Sequence, residues 1–352
     1  MDYRKEIDEL VDLILKEDAS DLHLSAGRTP IIRVSGSLIP LMKRPVITEV
    51  DMKGYVDVFL TKESRVLLEK EKDVDFSYNL THARFRGHIY YSQGNPAIAL
   101  RLIPRSIRTL VELGLPAILE SFTRKSQGFF LVVGPIGQGK TTTIASMIEM
   151  INQTRTEHIL TIEDPIEYIF ESKKSVVDQR EVRTDTPDFA NALTAMFRED
   201  IDVCMVGEMR DILTMSAAVT AAETGHLVFS TLHTNNAAQT IDRIIDSFPA
   251  SQQDQIRMQL AGSLSGIFSQ RLVPRISGGL IPAYELLINN AAVSNLIRER
   301  RTHEINTVIE TGSQSGMIDM NHSLAELVRA GEITPETAYA YSMSPKSLER
   351  LL

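Results

Sequence analysis

Apolar residues near the start of the chain fall at Ile7, Leu10, Val11, Ile14 and Leu15, a helical spacing that predicts an amphipathic helix ending near Asp18. The period then shortens. Leu22-His23-Leu24, Pro30-Ile31-Ile32-Arg33-Val34 and Ser37-Leu38-Ile39-Pro40-Leu41 read as strands of a small sheet, with Ser35-Gly36 as a tight hairpin turn. Thr48 followed by Glu49 and Asp51 predicts a capped helix start, and a second helix covers the Glu63 to Lys70 region. Strands resume over Asp73 to Tyr78, Arg84 to Tyr91 and Ala97 to Leu102, so the N-terminal part reads as α+β.

Pro104 and Pro116 flank a short helix expected around Leu110-Val111-Glu112-Leu113, and the polar stretch Thr123 to Gly128 follows. These breaks predict an N-terminal domain over 1–112, a linker region over 113–127 and a second domain over 128–352. From Gly128 onward the pattern changes to strand, helix, strand, helix. Apolar strands are expected at 128–133, Ile159 to Ile162, Val203 to Val206 and Leu227 to Phe229, and such alternation implies a mostly parallel sheet covered by helices. Arg271 to Pro274 and Ala283 to Ile288, around a turn at Gly278-Gly279, are expected to finish the sheet before helices take over.

Composition narrows the class. A length of 352 residues suits two domains, and 43% hydrophobic with 24% charged residues are ordinary globular values. A formal charge of -9 and no tryptophan give no overall basic field and no basic-aromatic platform for nucleic acid, which is not expected as a partner. No signal peptide or span of roughly twenty apolar residues is legible, so a cytoplasmic location is expected. The single cysteine, Cys204, lies in an apolar run and excludes an intrachain disulfide or a four-cysteine zinc site; no structural zinc is expected.

The chemistry concentrates after the apolar strands. Gly134-Pro135-Ile136-Gly137-Gln138-Gly139-Lys140-Thr141 follows one strand and opens a helix at Thr142. This is G-x-x-x-x-G-K-[ST] in its proper context: backbone N–H groups turn around phosphates, lysine meets β/γ charge, and a hydroxyl ligates Mg²⁺. ATP or ADP with Mg²⁺ is the expected ligand. In doubly wound sheets ligands bind beyond the carboxyl ends of the strands, which is where Glu163-Asp164, Gly207-Glu208 and Thr231-Leu232-His233 fall. Glu163 and Glu208 suit orientation of an attacking water and support of the metal, and either acid could do either task. His233 is placed to reach the γ-phosphate, whereas His226, seven residues earlier, lies roughly 20 Å away at the other end of the strand.

Taken together, these segments resemble the PilT family of hexameric retraction ATPases of type IV pili, within the larger class of secretion and pilus-assembly motors. Ala19-Ser20-Asp21-Leu22-His23-Leu24 is similar to the family's N-terminal signature and Ile159 to Tyr168 to its acidic box. Val206-Gly207-Glu208-Met209-Arg210-Asp211 is similar to its Walker B segment, and Thr220 to His226 through Leu232-His233-Thr234 to its histidine box. Ala292 to Glu299 resembles the helix associated with retraction, with Val293 and Ser294 departing from the usual wording. Ile136, Gln138 and Thr141 stand where the family's phosphate loop usually has threonine, serine and serine.

The resemblance implies a C-terminal RecA-like P-loop ATPase domain and a smaller N-terminal α+β, PAS-like domain. It implies a bacterial homohexamer at the cytoplasmic side of the inner-membrane pilus base, acting on a platform protein and through it on the pilin fibre. Thr141 would hold Mg²⁺, Glu208 would support metal and water directly or through a bridging water, Glu163 would orient or deprotonate water, and His233 would sense the γ-phosphate. Arg84, Arg86 and Arg101 occupy the strands from which family members supply arginines to a nucleotide at a subunit junction, although the arginine common in the intervening hairpin is missing from Ser92-Gln93-Gly94-Asn95. The related extension and secretion motors usually carry a four-cysteine zinc module that one cysteine cannot build. Three alternatives stay open: a motor of opposite output, a nucleotide-dependent regulator that hardly turns over, and a nucleic-acid translocase.

Overall fold

The computed structural model describes residues 2–34, 36–80, 83–103 and 106–352, so Ser35 of the expected hairpin and Pro104 of the expected boundary lie outside the described residues. The chain divides into two compact units, Met1–Ser106 with Glu167–Ile169, and Ile107–Ile166 with Phe170–Leu352. The limit thus falls before residue 112, and 113–127 is no separate linker. Leu110, Leu115, Leu119 and Phe122 are buried, and the Phe122 ring packs 4.4 Å from that of Phe130, which anchors this segment in the second unit.

The first unit opens with α1 (Tyr3–Lys16), whose Ile7, Leu10, Val11 and Ile14 are buried while Leu15 stays partly exposed at 38%. Strands β1 (Ala19–Ser25), β2 (Ile31–Val34), β3 (Ser37–Pro40), β4 (Asp73–Asn79), β5 (Arg84–Ser92) and β6 (Asn95–Ile103) form an antiparallel sheet in the order β3-β2-β1-β6-β5-β4. Helices α2 (Glu49–Phe59) and α3 (Lys62–Glu71) lie between β3 and β4 in sequence. Thr48 and Asp51 cap α2 reciprocally, the Asp51 N–H donating to the Thr48 hydroxyl and the Thr48 N–H to the Asp51 carboxylate, so the sequence signal is realised as a capping box.

In the second unit, residues 110–114 form a turn where a short helix was expected, and helix α4 comes later, at Leu119–Thr123. Thr109 and Glu112 cap this segment reciprocally, the Glu112 N–H donating to the Thr109 hydroxyl and the Thr109 N–H to the Glu112 carboxylate, but it runs for a single turn because Gly114, at φ +67, ends it. The parallel core consists of β7 (Gly128–Val133), β8 (His158–Glu163), β9 (Val176–Glu181), β10 (Val203–Val206) and β11 (Leu227–Leu232), extended by β12 (Leu264–Pro274) and antiparallel β13 (Leu280–Ile288). The order is β13-β12-β7-β11-β10-β8-β9. Every residue of β7, β10 and β11 is buried, as expected for strands covered on both faces by helices. Helices α5 (Lys140–Thr154), α6 (Phe189–Met196), α7 (Ile212–Glu223), α8 (Ala237–Asp246), α9 (Ala250–Ser263) and α10 (Ala291–Arg298) follow in chain order, with short helices to the C-terminus. Strand β9 is missing from the sequence reading because its alternating exposure marks an edge strand, with few apolar residues to betray it.

Helix α10 is the segment similar to the retraction-associated helix. Asn290 caps it, Val293, Leu296 and Ile297 are buried, and the Ser294 hydroxyl donates to the Ala261 carbonyl at 2.9 Å. Both departures from the family wording are thereby packed or bonded into the unit. Among the described residues no helix is long and apolar enough to cross a membrane.

Candidate functional site: a phosphate loop at four adjacent strand ends

Strand β7 ends at Val133, and the chain leaves the sheet at Gly134 with φ +149. A Cβ there would lie 2.5 Å from the Gln270 carbonyl oxygen, so glycine is required where the loop passes β12. The loop closes on α5, whose N-cap is Gly139 and whose first turn has no side-chain cap. Its leading N–H groups are therefore available to an anion, and the helix dipole favours negative charge at that end.

Lys140 is the first residue of α5 and is buried. Its ammonium donates to the Gly134 and Pro135 carbonyls at 2.8 Å each and sits 3.2 Å from His233 Nδ1. The ammonium is a donor only, so Nδ1 accepts and the ring proton lies on Nε2. That nitrogen faces Glu208 Oε1 at 3.2 Å, while the other Glu208 oxygen takes Arg210 Nη2 at 2.9 Å. Burial pushes the Glu208 carboxyl up, but Arg210, His233 and Lys140 outweigh it and hold the group below the usual carboxylate range. A continuous polar chain thus runs from the phosphate loop through His233 to Glu208 and Arg210.

Glu163, the last residue of β8, is buried and its Oε1 accepts from the Thr161 hydroxyl at 2.7 Å and from Gln179 Nε2 at 3.3 Å. Ile162 pairs with Val206 across β8 and β10, and the Gly207 N–H donates to the Ile162 carbonyl, so Glu163 and Glu208 leave adjacent strand ends. The end of β11 is tied to β10 by the Thr231 hydroxyl on the Gly207 carbonyl at 2.6 Å. Four neighbouring strands therefore present the loop, His233, Glu208 and Glu163 at one sheet edge. His226 lies at the opposite end of β11, with Nδ1 at 3.0 Å from the Ala221 carbonyl and its ring edge-on to Phe197. Cys204 is buried in β10, and burial pushes its thiol up to about 12, which leaves it inert.

A cavity of about 430 Å³ opens beside the loop, walled by Leu113, Leu115, Leu272 and Leu280 and reaching Thr142 and Gln270. Thr141 and Thr142, half-buried at the start of α5, bring hydroxyls to the same end. Among the described residues no three His, Cys, Asp or Glu side chains form a metal cage. A divalent ion here would rest on a hydroxyl, a carboxylate and the nucleotide's own oxygens, a donor set that suits Mg²⁺.

Sequence reasoning missed Thr161, Gln179, Arg210, Gln270 and Glu285. The last sits on β13, accepts the Ala237 N–H at 2.8 Å and thereby holds the start of α8 just after His233. Burial pushes Glu285 up to about 7 against that hydrogen bond. Only Arg210, two residues after Glu208, carried a local signal. The three arginines belong to the first unit: Arg84 and Arg86 alternate along β5, and Arg86 stands directly opposite Arg101 on β6. Arg101 donates through Nε to Asp21 at 2.8 Å, and Arg84 Nη2 lies 3.3 Å from the Ser77 hydroxyl.

Comparison with known proteins agrees with this geometry. The family model for type II/IV secretion system proteins matches residues 3–330. A twitching motility protein of Neisseria gonorrhoeae is 45% identical over 91% of this chain and 86% of its own length. The type IV pilus retraction ATPase PilT of Pseudomonas aeruginosa is 41% identical over 97% of this chain and 99% of its own. A crystal structure of the pilus retraction motor PilT with bound ADP superposes with a TM-score of 0.91 and 46% identity, covering 97% of this chain and 98% of that one. The chain belongs to the type II/IV secretion system protein family and, within it, to the PilT group of pilus retraction ATPases.

Proposed function

We propose that this protein is a Mg²⁺-dependent ATPase that works as a homohexameric motor of type IV pilus retraction. The observation that carries the reading is the run Lys140–His233–Glu208 at the mouth of the phosphate loop, with Glu163 on the next strand end. The loop amides and Lys140 hold the phosphates, and the cavity between Leu113 and Leu280 takes the nucleoside. Lys140, now spanning two loop carbonyls, exchanges these for β/γ oxygens when the nucleotide enters.

Thr141 and Glu208 would hold the metal, Glu208 directly or across a water. Mg²⁺, when bound there, would supply charge neutralisation to the phosphates. Glu163, its Oε1 fixed by Thr161 and Gln179, orients the attacking water and accepts its proton. His233 donates from Nε2 to Glu208 in the arrangement described and can turn that proton toward a γ-phosphate, so it reports which nucleotide is bound. In a ring of copies, Arg84, Arg86 and Arg101 supply positive charge to a neighbour's nucleotide. The ring acts at the cytoplasmic side of the inner membrane on a platform protein, and pilin leaves the fibre base.

Steady-state phosphate release by the purified protein tests the chemistry, and fibre retraction in cells with and without the protein tests the output. Lys140→Ala and Glu163→Gln should each lower turnover at least about a hundredfold. Unchanged turnover in either would remove the site from this reading; missing fibres, in place of fibres that fail to retract, would reverse the direction of the motor.

A further inference from the structure

Strand β7 is shorter than its neighbour β12. The parallel pairing ends at Val133 opposite Ser269, while β12 continues to Pro274. From Gln270 onward, β12 has lost the strand that covered its β7 side. The open edge is taken up by the phosphate loop. The Leu272 N–H donates to the side-chain carbonyl of Gln138 at 2.7 Å, and Gln270 Nε2 donates to the Gln138 backbone carbonyl at 2.7 Å. The other end of the Gln270 amide accepts the Thr143 hydroxyl at 2.6 Å, and both Gln270 and Thr143 are buried.

Gln138 sits between Gly137 and Gly139, at φ +76 and +77, so it is flanked on both sides by conformationally permissive residues. A Gly-Gln-Gly segment without a tether samples many conformations, and a ligand that needs one of them bears the ordering cost. We infer that Gln138 is a positioning residue whose side chain replaces the missing β7 partner of Leu272 and, with Gln270, holds the phosphate loop in its nucleotide-ready form before nucleotide arrives. The tether acts on the backbone that faces the phosphates and leaves the reacting atoms to other groups. It rests on the reading of this loop as a nucleotide site. A serine at 138 is too short to reach Leu272, so a loop carrying one would lack the tether.

The test is binding of a fluorescent ADP analogue to the full-length protein, with phosphate release measured in parallel. Gln138→Met keeps the length and packing but has no carbonyl acceptor. It should raise the ADP dissociation constant about three- to tenfold, the loss expected for one net hydrogen bond. KM for ATP should rise by the same factor, and kcat should fall by less. Gln138→Ser should behave as Gln138→Met does. A Gln138→Met protein that binds ADP as tightly as the parent overturns the inference, as does one whose defect lies in kcat with the dissociation constant unmoved. Failure of the parent protein itself to bind ADP would overturn the nucleotide reading, and the tether with it; the two failures are thus distinguishable.

Discussion

In the seven-stranded sheet, consecutive residues of β7 and β11 are all buried, and polar side chains gather where strands stop. In the six-stranded sheet, β5 alternates, with Phe85, Gly87 and Ile89 buried and Arg84, Arg86 and His88 only partly so. The difference comes from how each sheet is covered. A strand with helices on both faces has no place along its length for an unpaired charge, so a carboxylate or imidazole after an apolar run marks the sheet edge at which ligands bind. A strand with one open face tolerates charge at every second position, and an arginine there says little by itself. The buried hydroxyls of the parallel sheet obey the same rule: Ser230 donates to the Val206 carbonyl of β10, Thr231 to the Gly207 carbonyl just beyond it, and Thr161 to Glu163.

The largest effect expected from this contrast is on turnover. Glu208→Gln should lower phosphate release at least about a hundredfold, since it removes a charge held ionised at the sheet edge. His88→Ala, mid-strand on β5, should leave release close to the parent. A comparable loss in both would break the contrast.

Stability should separate the sheets next. Phe129 and Phe130 are sequential, point to opposite faces and are both fully buried. Phe129→Ala and Phe130→Ala should each cost roughly 3–5 kcal/mol in denaturant unfolding. On β5 the cost should alternate: Phe85→Ala about as much, Arg84→Ala within about 0.5 kcal/mol. Two equal costs on β5 would mean that its open face is covered.

These rules also explain how much was legible in the sequence. The loop, Glu163, Glu208 and His233 could be found because each directly follows an apolar run that fixes its place on the edge. Gln179 and Gln270 could not, since they lie within strands and reach the site only through tertiary pairing: β9 beside β8, and β12 beside β7. The segment around Leu110 carries a helix-start signal in Thr109 and Glu112, but Gly114 at φ +67 stops it after one turn, and Leu113 and Leu115 line the cavity.

Glu285 is an exception to the edge rule, a carboxyl inside β13 that is buried and pushed up to about 7. Its folded form keeps a proton over the window from its ordinary 4.5 to about 7. That contribution to stability is complete below the window and lost as pH rises through it. Glu285→Gln keeps an acceptor for the Ala237 N–H and cannot ionise. It should match the parent in acid and exceed it by up to about 3 kcal/mol near neutral to mildly alkaline pH, read from unfolding at several pH values. A variant less stable than the parent at high pH would show that the charge itself is needed at the start of α8.

The smallest expected stability change lies across the first sheet. Arg33, Asp21, Arg101 and Arg86 stand in register on β2, β1, β6 and β5, with Arg33 and Arg101 flanking the one carboxylate. Burial pushes the Asp21 carboxyl up, yet the Ser20 hydroxyl and Arg101 outweigh it and hold the group below its ordinary value. Arg101→Ala should therefore cost about 1 kcal/mol at neutral pH, a loss that fades as acid protonates Asp21. Arg86 has no such partner in the row: it stands against Arg101, and its contact with Glu167 is 3.8 Å long between side chains about 40% exposed. Directly opposed like charges are unfavourable, so Arg86→Ala should leave stability unchanged or raise it by a few tenths of a kcal/mol. Turnover should nonetheless fall roughly tenfold or more on the proposed role of Arg86 toward a neighbour's nucleotide. Thermal midpoints and phosphate release measured on the same preparations separate the cases. If Arg86→Ala loses stability and keeps its turnover, the charge belongs to the fold of the first sheet, and the chemistry is confined to the edge of the second.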